Sequence, residues 1–205
     1  MIAALYVQAD GCYAGLPGVE CWPEDRDART YIGPWPVVAH PPCQRWGRYS
    51  ETHPIKGKFA ETGDDQGCFE KALEAVRIWG GVLEHPAHSK AFKPEWFDLG
   101  CPPRGGGWIN AMDGMGWICH VEQGHYGHLA AKPTWLYRVG KGVPENLIWG
   151  TVGQRIHPRA LELHGYEKAR RIGMMAMVGG KDKTRIREAT PPAFRDVLVA
   201  LAEAA

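Results

Sequence analysis

The hydrophobic positions fall in short runs, each stopped by glycine or proline. Ile2 to Val7 is unbroken apolar sequence, which predicts a first strand covered on both faces. Val19-Glu20-Cys21-Trp22 predicts a short second strand. Val37-Val38-Ala39 predicts a third. It is cut off by Pro41 and Pro42, whose rings fix φ and remove two N–H donors. Between Asp64 and Trp79 the period changes. Phe69, Ala72, Leu73, Val76 and Trp79 recur at three and four, the apolar face of a helix that Asp64 or Asp65 caps and Gly80-Gly81 ends. Val82-Leu83-Glu84 is the next strand, stopped by Pro86. Residues 116–123 and 134–139 alternate and predict an antiparallel pair. A helix with a basic face is predicted over 157–171, within an otherwise irregular insert at about 141–180. Thr190-Pro191-Pro192 opens a final helix with Phe194, Val197, Leu198 and Leu201 as its buried stripe.

The strand–helix–strand unit from Val37 to Pro86 carries the candidate chemistry. Such a crossover makes neighbouring parallel strands whose carboxyl ends share one edge. Cys43 then stands on a rigid loop at the end of one strand, and Glu84 at the end of the next. In open α/β sheets that edge is where ligands bind. A thiol held there is a candidate nucleophile, and a buried structural cysteine beside a proline turn is the competing reading. The predicted fold is α/β: a Rossmann-like, mostly parallel sheet flanked by helices, in one domain over 1–205. Its N-terminal cofactor half is shortened.

Composition narrows the class. The chain has 205 residues, 44% hydrophobic and 23% charged, ordinary for one globular domain. No run of 18 apolar residues occurs, so no membrane span is expected. The N-terminus lacks the basic region of a signal peptide. Six cysteines without a C-x-x-C pair suit reduced thiols in a cytoplasm. The net charge of +1 is a weak footprint for a strong DNA binder. Cys119, His120, His125 and His128 raise the question of zinc, but their spacing fits no standard site, and no metal is expected. Gln44 to Ser50 is basic and aromatic: Arg45 and Arg48 are candidates to hold a phosphate, and Trp46 to stack on a base, against the plainer reading of a surface loop with one buried Trp. Residues 52–63 are predicted to be a mobile loop over that crevice.

Pro41-Pro42-Cys43, followed one strand later by Glu84-His85-Pro86, resembles the C5-cytosine methyltransferases. That family carries a Pro-Pro-Cys nucleophile loop and a Glu-Asn-Val or Glu-Asn-Pro segment. The closer resemblance is to small phage and prophage relatives with His-Pro-Pro-Cys near the N-terminus. The likeness covers roughly residues 35–90. It implies that Cys43 attacks C6 of a pyrimidine while Glu84 contacts N3 and the exocyclic amine. It also implies substrate contacts from Pro42 and His85, and from His128, Lys132 and Thr134 in the segment that lines the family's active site. The implied cofactor is S-adenosylmethionine. Its candidate contacts are Asp10, Gly11, Tyr13 and Gly15 of the glycine-rich loop, Glu20 (or Asp27) as ribose acid, His40, and Thr190 at the last helix, with Arg185 and Arg187 on the same edge. The chain departs from the family here: the loop has no Phe-x-Gly-x-Gly pattern and no clear helix follows it. The implied function is DNA cytosine modification, with the target base flipped out of a duplex. Two alternatives stay open: the same catalytic half acting on a free pyrimidine nucleotide or with another one-carbon donor, and a non-catalytic descendant that binds nucleic acid or a host protein. A homodimer stays open as well.

Overall fold

The computed structural model describes residues 1–47, 50, 61–153, 156–173 and 183–205. Among the described residues, seven strands form one sheet: β1 (Ile2–Leu5), β2 (Val19–Trp22), β3 (Val37–Ala39), β4 (Gly81–Pro86), β5 (Ile109–Asn110), β6 (Trp117–Glu122) and β7 (Pro133–Val139). Their order is β2-β1-β3-β4-β7-β6-β5. The α-helices of the described residues are α1 (Cys68–Trp79), α2 (Pro158–Ile172), α3 (Lys183–Glu188) and α4 (Pro192–Glu203). The fold is α/β with a mixed sheet.

The expectation of a mostly parallel sheet is corrected. β2, β1, β3 and β4 run parallel. β7 is antiparallel to both β4 and β6, and β5 is antiparallel to β6. The reason is local. The 123–132 loop joins β6 directly to β7, and a direct connection of that kind makes an antiparallel pair, whereas a parallel pair needs a crossover.

The parallel half explains the apolar runs. Ile2, Ala3, Ala4 and Leu5 are all essentially inaccessible, because helices or loops cover both faces of β1. On one face α1 packs on β3 and β4. Phe69, Ala72, Leu73 and Val76 meet Ala3, Leu5, Val37, Ala39 and Leu83 there. On the other face α4 packs on β1, β3 and β4, and Phe194, Leu198 and Leu201 meet Ile2, Ala4, Val38 and Val82. The β1–β2 connection brings Tyr13 to the α4 face, and the β2–β3 connection brings Ala28 and Tyr31 to the α1 face. The chain thus leaves β1 for β2 on one side and returns to β3 on the other. In open α/β sheets the point of such a reversal, here outside the carboxyl ends of β1 and β3, is where a ligand crevice is expected.

The described part of the 141–180 insert contains α2. α2 is broken at Gly165, whose φ is +71°. Ala160, Ala169 and Ile172 of α2 and Ile186 of α3 pack against Leu129 and Ala130 of the β6–β7 loop. Residues 174–180 of the insert, 52–60 of the predicted loop, and Arg48 lie outside the described residues. Among the described residues, no helix is long and apolar enough to cross a membrane.

Candidate active site

Strand alternation places the site. Val38 and Val82 face α4, so His40 and Glu84, two residues on, reach the same face at the carboxyl edge. The β3–β4 register pairs Ala39 with Leu83, which makes His40 and Glu84 lateral neighbours. Their side chains meet: His40 Nδ1 lies 3.0 Å from Glu84 Oε2, with only 14% and 10% of the two side chains exposed. On the far side of the ring, Tyr13 Oη is 2.9 Å from His40 Nε2.

The same face brings in the antiparallel half. Gln123, just beyond β6, donates from Nε2 to Glu84 Oε1 at 3.0 Å and to Thr134 Oγ1 at 3.0 Å. Thr134 in turn donates to the Lys132 carbonyl at 3.1 Å. Both carboxylate oxygens of Glu84 are therefore held, one by His40 and one by Gln123. Burial pushes this carboxyl up, but the His40 hydrogen bond and the charges of His40 and Lys132 outweigh burial and hold it down to about 2.

Cys43 follows the two prolines on a turn closed by Trp46 N–H donating to the Cys43 carbonyl at 3.1 Å. The thiol is pushed up, first by burial and then by the Glu84 charge, with Lys132 acting in the opposite sense. The resting group is a protonated thiol that shares the field of Glu84 and Lys132. Lys132 sits at the rim with φ of +45°, and its ammonium donates to the Ala189 carbonyl at 2.7 Å. This contact ties the β6–β7 loop to the segment that opens α4. Burial pushes the Lys132 amine down, and Glu84 and Cys43 oppose that shift.

Several residues predicted to contact substrate serve the scaffold instead. Trp46 is 2% exposed. Its Nε1 donates to Asp65 Oδ2 at 2.7 Å, and its ring packs on Phe69, Trp96 and Phe97. It anchors the Cys43 loop from below and offers no face to a base. Asp65 also accepts from Phe69 N–H at 2.9 Å, so one carboxylate caps α1 and clamps the loop. Trp46→Ala is expected to destabilise the fold by about 3–5 kcal/mol, read as a lowered urea midpoint.

His85 points to the α1 face, 1% exposed, with its ring edge-on to Phe69. His128 Nδ1 accepts from Ala130 N–H at 3.0 Å, and its Nε2 donates to the Ile186 carbonyl at 2.8 Å. Neither reaches the crevice surface. Burial lowers both histidines to about 4. Each is neutral in the fold and takes up a proton on unfolding, so their stability is complete above about pH 6.5 and falls as pH drops toward 4. Thermal unfolding is expected to shift down by several degrees between pH 7 and pH 4.5. A flat melting temperature over that window is the contrary result. Thr134 is fully buried and supports Gln123. Pro42 is exposed at the mouth, and Arg45 is half-buried in the turn after Cys43, its carbonyl accepting from Gly63 N–H at 3.1 Å.

The predicted cofactor residues separate. Tyr13, 2% exposed, and His40 enter the crevice. Asp10 and Gly15 are exposed on the β1–β2 loop, and Gly11 is half-buried there, its N–H donating to the Gln8 carbonyl at 3.0 Å. Glu20 lies mid-strand opposite Ala3 and pairs with Arg26, whose guanidinium covers Trp22 at 3.8 Å. Trp22 belongs to the α1-side core, so Glu20 faces away from the crevice. Asp27 is engaged by Arg29 at 2.8 Å. Thr190 is half-buried, directly after the Ala189 carbonyl that Lys132 holds.

Cys119, His120, His125 and His128 diverge. Cys119 lies in the α4-side core, and His120 Nδ1 accepts from Trp135 Nε1 at 3.2 Å. His125 Nε2 lies 3.1 Å from the Gly150 carbonyl. Among the described residues, no group of three or more His, Cys, Asp or Glu side chains is placed to hold a metal ion.

Sequence reasoning missed Gln123. Cys119 and Val121 face α4, so the same period of two carries Gln123 toward Glu84. No protein-family model, curated protein or solved structure matches the chain.

Proposed function

We propose that the chain performs covalent chemistry at C5 of a cytosine or related pyrimidine, in the manner of the Rossmann-like C5-cytosine methyltransferases that its Pro-Pro-Cys loop resembles. The observation that carries the reading is the placement of Cys43 and Glu84 beyond the carboxyl ends of adjacent parallel strands, near enough for the Glu84 charge to act on the Cys43 thiol. Cys43 gives its proton to solvent water and its Sγ bonds to C6. The C5–C6 π pair moves toward C4 and N3, N3 takes a proton from the Glu84 side, and C5 becomes an enamine carbon. C5 then takes a proton from water as its electrophile, gives its original hydrogen back to water as a proton, and the thiolate departs by elimination. Lys132 stands where a cation favours the thiolate. The substrate is a cytosine presented as a single strand or a flipped base, in a reducing, cytoplasmic setting that suits six unpaired cysteines.

S-adenosylmethionine is the donor that the resemblance implies. The residues present do not fit it. No helix follows the β1–β2 loop, Glu20 is paired with Arg26 on the other face, and Asp27 is taken by Arg29. The proposed chemistry therefore comprises the C6 adduct and the C5 enamine, and not methyl transfer. The test needs no donor. In D₂O the enamine takes a deuteron at C5, so cytosine in a single-stranded oligonucleotide should gain one mass unit in the presence of the protein, and not with Cys43→Ala.

A further inference from the structure

The crevice contains a titratable group that the Cys43–Glu84 chemistry leaves unused. His40 is held at both ring nitrogens, by Glu84 Oε2 at 3.0 Å and by Tyr13 Oη at 2.9 Å. Glu84 has its second oxygen occupied by the Gln123 amide at 3.0 Å. A carboxylate that accepts two such hydrogen bonds is stabilised in its ionised form. Left alone it is a poor source for the proton that N3 needs.

We infer that His40 is the proton carrier of the crevice: its imidazolium passes the Nδ1 proton through Glu84 Oε2 to N3 of the pyrimidine as Cys43 adds to C6. This rests on the pyrimidine reading above. The proton balance closes. Before addition His40 donates from Nδ1 to Glu84 and from Nε2 to the Tyr13 oxygen. After addition N3 carries the Nδ1 proton, Glu84 remains ionised, and His40 is neutral with its Nε2 proton still on Tyr13. Elimination of the thiolate returns the proton along the same path. Tyr13 thereby fixes the tautomer that keeps Nδ1 free to reload.

The groups that face this relay come from every element around it. Tyr13 and Cys12 come from the β1–β2 loop, Glu84 and His85 from β4, Lys132 from the β6–β7 loop, Cys43 from the loop after β3, and Arg195 and Asp196 from α4 beside Tyr13. Lys132 acts on Glu84 in the same sense as His40, but its ammonium is bonded to the Ala189 carbonyl and remains in place when His40 is changed.

The experiment is C5 deuterium exchange on a cytosine oligonucleotide by the full chain, with and without added imidazole. His40→Ala is expected to lower the rate by about 10²-fold, and imidazole, a diffusible proton carrier of the same chemistry, to restore it. A wild-type rate in His40→Ala overturns the inference. A lowered rate that imidazole leaves unchanged also overturns it, because a purely structural histidine gives that result. If His40→Ala does not fold, Tyr13→Phe carries the test: without the Nε2 partner kcat should fall with KM unchanged, and a wild-type kcat overturns the relay. Wild-type protein without Cys43-dependent exchange removes the pyrimidine reading itself, and the relay with it.

Discussion

Cys43→Ala is expected to abolish C5 exchange, a fall of about 10⁴-fold or more, while the folded state survives. The two halves of that expectation have separate causes. The reaction depends on one atom, because no other nucleophile stands on the turn that follows Pro42, and the other side chains can only polarise the ring. The fold depends little on that atom. Cys43 is half-buried at the mouth, and the loop is anchored by Trp46, Asp65 and the prolines rather than by the thiol. Removing Sγ also removes a group that is unfavourable to ionise beside Glu84. The urea midpoint should stay within about 1 kcal/mol of wild type. A variant that exchanges C5 at the wild-type rate would show that Cys43 is the buried structural thiol of the competing reading. Cys43→Ser is the sharper control. It keeps the shape and a hydroxyl, but at neutral pH it supplies almost no alkoxide, so it should be as inactive as alanine.

What could be read in advance follows the range of the interactions. Val37 to Ala39 and Val82 to Glu84 are fixed by adjacent prolines and glycines, and both strands lie where the apolar runs put them. Their parallel pairing follows from the intervening helix. The His40–Glu84 contact was within reach of the same logic, since both residues extend a period of two from Val38 and Val82. The family resemblance places His40 among the cofactor contacts, whereas the fold turns it to Glu84 and Tyr13. Trp46 and His85 carry chemistry-bearing side chains beside the motif, but burial against Phe69 decides their role. That burial is set by α1, more than twenty residues downstream of Trp46. The direction of β7 and the arrival of Gln123 at Glu84 depend on register across the antiparallel half, which no local signal records. The crevice is thus half local grammar and half tertiary pairing, and Glu84 is where the two halves join.

Glu84→Gln therefore has two expected effects, one on chemistry and one on acid stability. The amide keeps the shape but cannot relay a proton, so C5 exchange should fall by about 10²–10³-fold. It also presents an amide to the Gln123 Nε2 donor and loses the charge that holds His40. The stability effect has a definite sign. The folded carboxyl lies near 2, below its ordinary value of 4.5. A carboxyl depressed in the fold contributes stability that is complete above about pH 4.5 and is lost as pH falls toward 2. The wild-type advantage over Glu84→Gln should then be on the order of 3 kcal/mol at pH 7 and should shrink steadily below pH 4.5. His85 and His128 titrate in both proteins and cancel in the difference. Urea unfolding of the two proteins at pH 7, 5 and 3.5 measures it. A gap that is constant with pH would mean that Glu84 is held as the neutral acid, its ionised pair with His40 absent. The proton for N3 would then come from Glu84 itself, and imidazole would not restore exchange in His40→Ala.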